Sequence, residues 1–532
     1  MDEKKIKAGS TSKSVFYSTF FSLIARAFSF VQAMIVSYYF GATKSTDFLF
    51  FCISITMLLP GLFNNINQSV IVPNAIRIRE SRSEKESRSF ISYIYALYVI
   101  AGALICTIVF LMPERFMLIV SKFSASDIRE NILIVKLIIP TFFFTLTNSY
   151  LLDVFNAYRY FTLPMILDMF KSILTIAFIV LLGRRFGIVS MATGILLAQI
   201  IQFIMLNGFL IRLFGLRFSL RIKRYRLDGM LQRNIFFVVI SQVASIASQY
   251  VAIYLISGLS DGVYTAMSYS DKLYNIFVLV FAGQVATVLG IDMIELYARG
   301  EYKKLNEQYI KCIRIMMTVI IPVILIMAVK APLIISVLFE RGSFTGEAVE
   351  LTSVFFKYAI LIVPLLLLDR MIVRLIIAKQ IMRISFIWNV ICKALTCVVV
   401  YVVVEFMDFR YYGLGLLAVQ LIYILLLNIF MVKRQFKFIR VTDSLVYVAV
   451  SAGFCTILCF GTAWLLPLPA ESAGLLGKLV YLCVYSLVVM AGYYGIGFIT
   501  YNRDTIMQLV NYIKQLLPKK DKALIPETQK SA

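Results

Sequence analysis

From Phe16 to the neighbourhood of Thr500 the chain repeats one pattern, an apolar run followed by a short polar loop. About 20 apolar residues in a helix cross the roughly 30 Å of bilayer hydrocarbon. Inside that layer the backbone has no water to bond, so runs of this length must be helices that satisfy their own amides. The pattern therefore predicts an all-α polytopic membrane protein with about fourteen transmembrane helices. Their starts fall near Val15, Asp47, Ser89, Ile132, Phe161, Gly187, Ile235, Asp271, Lys311, Leu351, Ile381, Tyr411, Ser444 and Lys478.

Charge placement orients the spans. The chain has 52 Lys+Arg against 29 Asp+Glu, which in a soluble protein would point to nucleic acid. Here the cations lie between apolar runs and mark topology instead, so no nucleic-acid partner is expected. Basic clusters at Lys4–Lys7, Arg77–Arg82, Arg212–Arg233, Arg299–Lys304, Lys379–Arg383, Lys433–Arg440 and Lys519–Lys522 occupy alternate loops. The positive-inside rule then puts both termini in the cytoplasm and the stretch "LFERGSFTGEAVELT", Leu338 to Thr352, outside. The opening "MDEKKIKAGSTSKS" reads as a cytoplasmic leader, 1–14, ahead of a first span rather than as a cleaved signal peptide.

An internal repeat is visible in outline. "LIIPTFFFTLTNSYLLDVFNAYRYF" runs Pro140, Asp153, Ala157 and Arg159, and "LIVPLLLLDRMIVRLIIAKQIMRISF" repeats the order with Pro364, Asp369, Ala378 and Lys379. Repeats of this kind flank the substrate path in many transporters. The expected organisation is two six-helix halves, 15–214 and 235–432, joined by a basic linker, 215–234, and followed by two additional transmembrane helices within 433–501. Residues 502–532 form an amphipathic helix and a basic tail, whose Ile506, Leu509, Val510, Ile513, Leu516 and Leu517 suit a membrane surface or an ordinary solvated helix.

Several chemistries are disfavoured. With no His in the chain, an imidazole-based zinc centre is ruled out and the commonest proton shuttle is missing. The eight Cys residues are scattered through apolar stretches without a CxxC pair and read as free thiols. No nucleotide-binding loop, HExxH or GxSxG arrangement occurs, so neither a cofactor nor an enzymatic activity is expected.

The informative residues are ionisable groups at membrane depth, where a charge costs on the order of 2.5–3.5 kcal/mol even on the lenient insertion scale. Arg26, in "SLIARAFSFVQAMIV", lies mid-span and either lines a polar cavity or forms a structural pair. Asp47 opens the second span and is a site residue or a cap. Asp271 and Lys272 are adjacent, so they point about 100° apart on a helix and cannot share one partner. Arg370 and Arg374 stack at i,i+4, a like-charge pair that calls for an anion or carboxylate between them. For Asp153, Asp168, Lys171 and Lys393 inter-helix pairing is the default reading.

In three stretches, "LFERGSFTGEAVELTSVFFKYAI", "GLSDGVYTAMSYSDKLYNIF" and "FGATKSTDFLFF", the chain resembles the MurJ/MviN family, the lipid II flippases of the multidrug/oligosaccharidyl-lipid/polysaccharide exporter superfamily, a likeness that runs to roughly Arg440. The first stretch resembles the family's outer-loop signature. The second is similar to its seven-to-eight hairpin and the third to its first outer loop. The resemblance implies that Arg26, Asp47 and Asp271 match family residues in a cationic substrate cleft. It also exposes departures. Gln32 stands where the family has a second first-span arginine, "LLPGLF" where it has twin arginines, and Lys272 where it has an arginine. A lysine keeps the charge but lacks the bidentate fork that suits a diphosphate.

The implied function is a flippase in the bacterial cytoplasmic membrane. It would carry a polyprenyl-diphosphate-linked glycan, lipid II or another cell-surface glycan precursor, from inner to outer leaflet by alternating access. The expected partners are that glycan lipid, membrane lipids and envelope glycan synthesis enzymes. Two alternatives stay open: a drug or cation exporter of the same superfamily, and an integral membrane glycan polymerase, which would need a longer catalytic loop than the chain offers. A silent scaffold is a third.

Overall fold

The computed structural model describes residues 11–158, 160, 162–215, 229–283, 293–379, 381–427, 433–469, 474–499 and 502–516. Within them every regular element is helical. In chain order these are α1 (Thr11–Phe40), α2 (Lys44–Ser81), α3 (Glu84–Leu111), the short α4 (Pro113–Val120) and α5 (Ala125–Glu130), α6 (Ile132–Ala157), α7 (Thr162–Phe186) and α8 (Val189–Phe214). Then come α9 (Gly229–Ile256), α10 (Val263–Phe277), α11 (Tyr302–Val329), the short α12 (Ala331–Phe339) and α13 (Gly346–Lys379). The chain continues with α14 (Met382–Phe406), α15 (Tyr412–Leu426), α16 (Val441–Leu465), α17 (Leu475–Ile499) and α18 (Arg503–Leu516).

Among the described residues eleven helices are long and apolar enough to cross a membrane, and Ile24–Phe40 and Gln242–Ile256 add shorter apolar stretches. Every expected span start falls on or within a few residues of one of the eleven helices or of α1, α9 or α10, so the all-α polytopic reading holds. Two boundaries move. α10 begins at Val263 and α11 at Tyr302, both well ahead of Asp271 and Lys311. Hydropathy marks where hydrocarbon begins, whereas a helix ends where its backbone finds other partners. The leader before Thr11, linker residues 216–228 and the tail from 517 lie outside the described residues.

Local chemistry explains the ends. Thr43 caps α2 in a reciprocal capping box with Thr46, Ser83 caps α3, and Ser124 and Asp127 make a second box at α5. Pro60, Pro140, Pro322 and Pro364 sit inside continuous helices, as membrane helices tolerate when neighbours re-satisfy the freed carbonyls. All eight cysteines are free.

The described residues form two compact units. The first draws on 1–279, 331–362 and 381–423, the second on 280–330, 363–380 and 424–532. In the first, Tyr98, Phe142, Tyr150, Leu151, Phe155 and Leu206 centre a core built by α2, α3, α6 and α8. A π-helical turn at Asn67–Ile71 interrupts α2 and aims Asn67 inward. There it donates to the buried Asp153 carboxylate at 3.1 Å and accepts from the Tyr98 hydroxyl at 2.7 Å. Such interhelical bonds average only about 0.6 kcal/mol each in membranes. Their importance lies in the cost of leaving the Asp153 carboxylate without a donor.

In the second unit, Lys330 at the end of α11 is buried, donates to the Tyr481 hydroxyl at 2.8 Å and lies 4.3 Å from the Tyr485 ring centroid. Asn502 donates to the Thr318 hydroxyl at 3.1 Å, and Thr505 and Ile506 are buried. The start of α18 is therefore fastened to α11 and α17 through part of its apolar face.

Candidate functional site

A cavity of about 650 Å³ lies within the first unit, between α2, α9, α10, α14 and α15. Each wall is one helical face. α2 contributes Ser54, Leu58, Gly61 and Asn65, α9 Gln242, Ile246, Gln249 and Ile253, and α10 Tyr264, Met267, Asp271 and Tyr274, all at the three-to-four-residue spacing of a helix stripe. α14 adds Lys393, Thr396 and Val400, and α15 adds Tyr412 and Leu416. The lining thus carries one carboxylate, one ammonium and several amides and hydroxyls at membrane depth, where such groups mark a ligand or ion path by default. At one point the wall is tied: Asn65 donates to Gln242 at 3.2 Å.

The residues singled out from sequence separate in space. Asp271 is exposed to the cavity, with no ion pair to Lys393 among the described residues. Lys272 turns away, as adjacency on a helix requires. Its ammonium lies 4.3 Å from the Phe50 ring centroid and 5.4 Å from that of Tyr269, a cation–π seat between α2 and α10.

Asp47 is buried at the start of α2, and its two carboxylate oxygens accept from the backbone N–H groups of Gly262 and Thr265, each at 2.7 Å. It caps α10 from a neighbouring helix, and the Thr265 hydroxyl donates to Thr46 beside it at 3.0 Å.

Arg26 is exposed on α1, one turn before Phe30, whose ring meets Phe339 at 5.9 Å; Gln32 is half-buried on the same helix. Neither is part of the cavity lining. Arg370, exposed, and Arg374, half-buried, belong to the second unit.

Lys393 was set aside in the sequence as a pairing residue. The pointer to its place was present: no acidic residue stands three or four positions away in "WNVICKALTCV", so the adjacent turns of its own helix supply no counter-charge. Gln242, Gln249 and Asn65 carried no such mark, since an amide in a span is common helix-packing chemistry. Asp168 bonds Lys171 at 3.1 Å and Gln202 at 3.2 Å, and so has local and inter-helix partners.

The loops at one end of the unit interlock. Ser343 donates its N–H to the Tyr38 carbonyl at 2.9 Å and its hydroxyl to Tyr39 at 3.2 Å. Gly41 and Gly342 both have φ of +60°. A Cβ on Gly342 would strike the Tyr38 carbonyl oxygen and one on Gly41 the Ser343 carbonyl oxygen. "ERGSF" is thus a backbone-to-backbone clasp on the end of α1. Beside it, Lys44 pairs with Asp127 at 2.9 Å and Asp261 at 3.8 Å, and Lys122 pairs with Glu405. Burial alone would raise the Asp127 pKa, but bonds from Ser124 and Lys44 outweigh it and hold the carboxyl below its ordinary value.

Comparisons with known proteins converge on this fold. The family described as Lipid II flippase MurJ matches residues 36–484. The chain is 23% identical over 370 residues to a probable lipid II flippase MurJ of Buchnera aphidicola subsp. Baizongia pistaciae, covering 67% of this chain and 71% of that one. It is 24% identical over 334 residues to the probable lipid II flippase MurJ of Borreliella burgdorferi, covering 62% and 65%. Among solved structures, a lipid II flippase MurJ in an inward closed conformation superposes with a TM-score of 0.75 at 17% identity, covering 92% of this chain and 99% of that one. An inward-facing multidrug resistance MATE family transporter of the MOP superfamily superposes at 0.59 with 14% identity, covering 77% and 96%.

Proposed function

The chain belongs to the lipid II flippase MurJ family, and from that premise we propose that it carries a polyprenyl-diphosphate-linked saccharide of the lipid II class from the inner to the outer leaflet of a bacterial cytoplasmic membrane. The observation that carries the reading is the polar cavity within an otherwise apolar helical unit, holding Lys393, Asp271 and a ring of amides and hydroxyls. An ammonium suits a diphosphate, and the amides and hydroxyls suit sugar. The isoprenoid tail would stay in lipid while the headgroup crosses.

The drive is the membrane potential or an ion gradient. An anionic headgroup moving outward gains about 2.3 kcal/mol per charge per 100 mV of inside-negative potential. The two six-helix halves would alternate about the cavity, with both termini in the cytoplasm and the Ser343 clasp on the outer side. Arg26, Gln32, Lys272, Arg370 and Arg374 would act on the headgroup's route or its electrostatics, and Asp47 by holding α10 in place. Enzymes of envelope glycan synthesis are the partners such a carrier needs.

The test is complementation. In cells depleted of their resident lipid II flippase, this chain should restore lipid II accessibility to an impermeant outer-leaflet probe, and Lys393→Gln should not. Failure by the folded wild-type chain would overturn the lipid II assignment. The MATE-like fold and the cavity carboxylate Asp271 favour one second reading, export of an organic cation. That reading requires drug resistance on expression and its loss in Asp271→Asn.

A further inference from the structure

A second, smaller cavity of about 330 Å³ lies away from the first, between the end of α1 and α12. Its α1 wall is Val31, Met34, Ile35 and Tyr38, again one helical stripe, and its other wall is Leu338, Phe339 and Arg341. Val31 and Tyr38 are 44% and 48% exposed, so the groove opens outward from the helices rather than into the core. Its floor is firm. Phe339 is buried and wedged against Phe30, Tyr269 and Phe344, with ring centroids 5.9, 5.3 and 5.8 Å away. One end of this apolar trough meets the loop clasped to α1, and there stands Arg341.

Arg341 spends one N–H on the Val337 carbonyl at 2.9 Å, which fixes the side chain at the end of α12. A guanidinium has five donors, and no ion pair to Arg341 is present among the described residues. Gly342, clasped against Tyr38, holds the loop so that the cation stays at the mouth of the groove. Tyr38 lies on the same rim, the kind of residue that places an apolar ring in acyl chains and a hydroxyl among headgroups.

We propose that this groove binds one anionic phospholipid of the leaflet on the Arg341 side, which is the outer leaflet in the orientation argued above. An acyl chain lies along Val31, Met34, Ile35 and Leu338, and the phosphate meets the free donors of Arg341. The occupant follows from charge complementarity at an apolar slot: a detergent-like tail alone would not need the arginine, and a soluble anion would not need the slot. The size falls at the small end of the about 300–1,000 Å³ typical of ligand pockets. One chain and a headgroup contact therefore suffice, and the second acyl chain remains in the bilayer. The site is separate from the substrate cavity, so its existence does not depend on which glycan the protein carries.

The experiment uses the full-length chain in nanodiscs containing phosphatidylglycerol or phosphatidylethanolamine with the same diazirine-bearing acyl chain. After photolysis and digestion, cross-links are mapped to the peptides holding 31–38 and 338–341. The expected result is at least a fivefold preference for phosphatidylglycerol at these peptides. Arg341→Gln should abolish the preference and Arg341→Lys should keep part of it. Ile35→Trp, which fills the trough, should remove labelling by both lipids. Thermal melting and gel filtration establish that each variant is folded, and Ile35→Trp reads the groove even if Arg341→Gln fails to fold. Equal labelling by the two lipids in the wild type, an unchanged preference in Arg341→Gln, or undiminished labelling in Ile35→Trp would each overturn the proposal.

Discussion

Two aspartates that look alike in the sequence do different things. Asp47 has both carboxylate oxygens bonded to backbone N–H groups of α10 and no solvent contact to speak of, whereas Asp271 opens onto the cavity. An amide at Asp47 would turn a donor toward a backbone donor. Asp47→Asn is therefore expected to destabilise the protein by about 1–3 kcal/mol, the cost of an unsatisfied buried group, read as a lower melting temperature of purified protein. Asp271→Asn should leave melting unchanged and alter export only. Arg26, exposed on α1, belongs with Asp271 in this respect. Arg26→Ala is expected to abolish export at normal protein levels and Arg26→Lys to restore it in part, since lysine keeps charge but not the planar fork. Normal outer-leaflet substrate accessibility in Arg26→Ala cells would count against a cationic route. Sequence alone left Asp47 poised between cap and site because both roles want a carboxylate at a helix start. Only the partner backbone, more than two hundred positions away, decides between them.

At the scale of elements, the helices were legible because their cause is local: a run of apolar side chains in lipid admits one backbone solution. The connections were not. "LFERGSFTGEA" reads as an outer loop, yet its purpose lies in Tyr38 and Tyr39, whose carbonyls it bonds. Gly342→Ala is the sharp test. A left-handed non-glycine residue costs about 1–2 kcal/mol, and here the new methyl also meets the Tyr38 carbonyl oxygen. The expected outcome is a large loss of folded protein, measured by membrane yield and melting, against little effect from Gly346→Ala, whose Cβ would meet open space. The neighbouring Lys44–Asp127 pair has a half-exposed lysine and should contribute no more than about 1 kcal/mol. Asp127 is held below the ordinary aspartate value of 3.8. Its contribution is thus fully present above that value and is lost only as pH falls through the lower folded-state pKa. The pair is no switch near neutrality, and the melting difference between wild type and Asp127→Asn should stay constant across the neutral range.

At the scale of the whole molecule, the sequence shows spans and their charge asymmetry but not which faces meet, because hydropathy is averaged around a helix while a cavity is made by single stripes on five of them. Lys393 illustrates the gap: its charge was visible, its neighbours were not. Orientation can be tested directly. With the eight native cysteines replaced, Ser343→Cys should react with an impermeant maleimide from outside the cell, and exclusive labelling from the cytoplasmic side would reverse the topology. Alternating access makes a stronger demand, because in this structure the α1, α10 and α12 loops and the Lys122–Glu405 pair join residues of 15–214 to residues of 235–432 at one end of the first unit. If export passes through that end, these contacts must part once in every cycle. On the same cysteine-free background, Lys122→Cys with Glu405→Cys, one from each six-helix half and an ion pair in this structure, joined by a short cleavable bis-maleimide, should stop the appearance of substrate in the outer leaflet. Cleaving the linker should restore it, while either single variant treated alike should transport at near the untreated rate. The double variant transporting normally with its cross-link intact would mean that this end never opens and that the substrate leaves by another route.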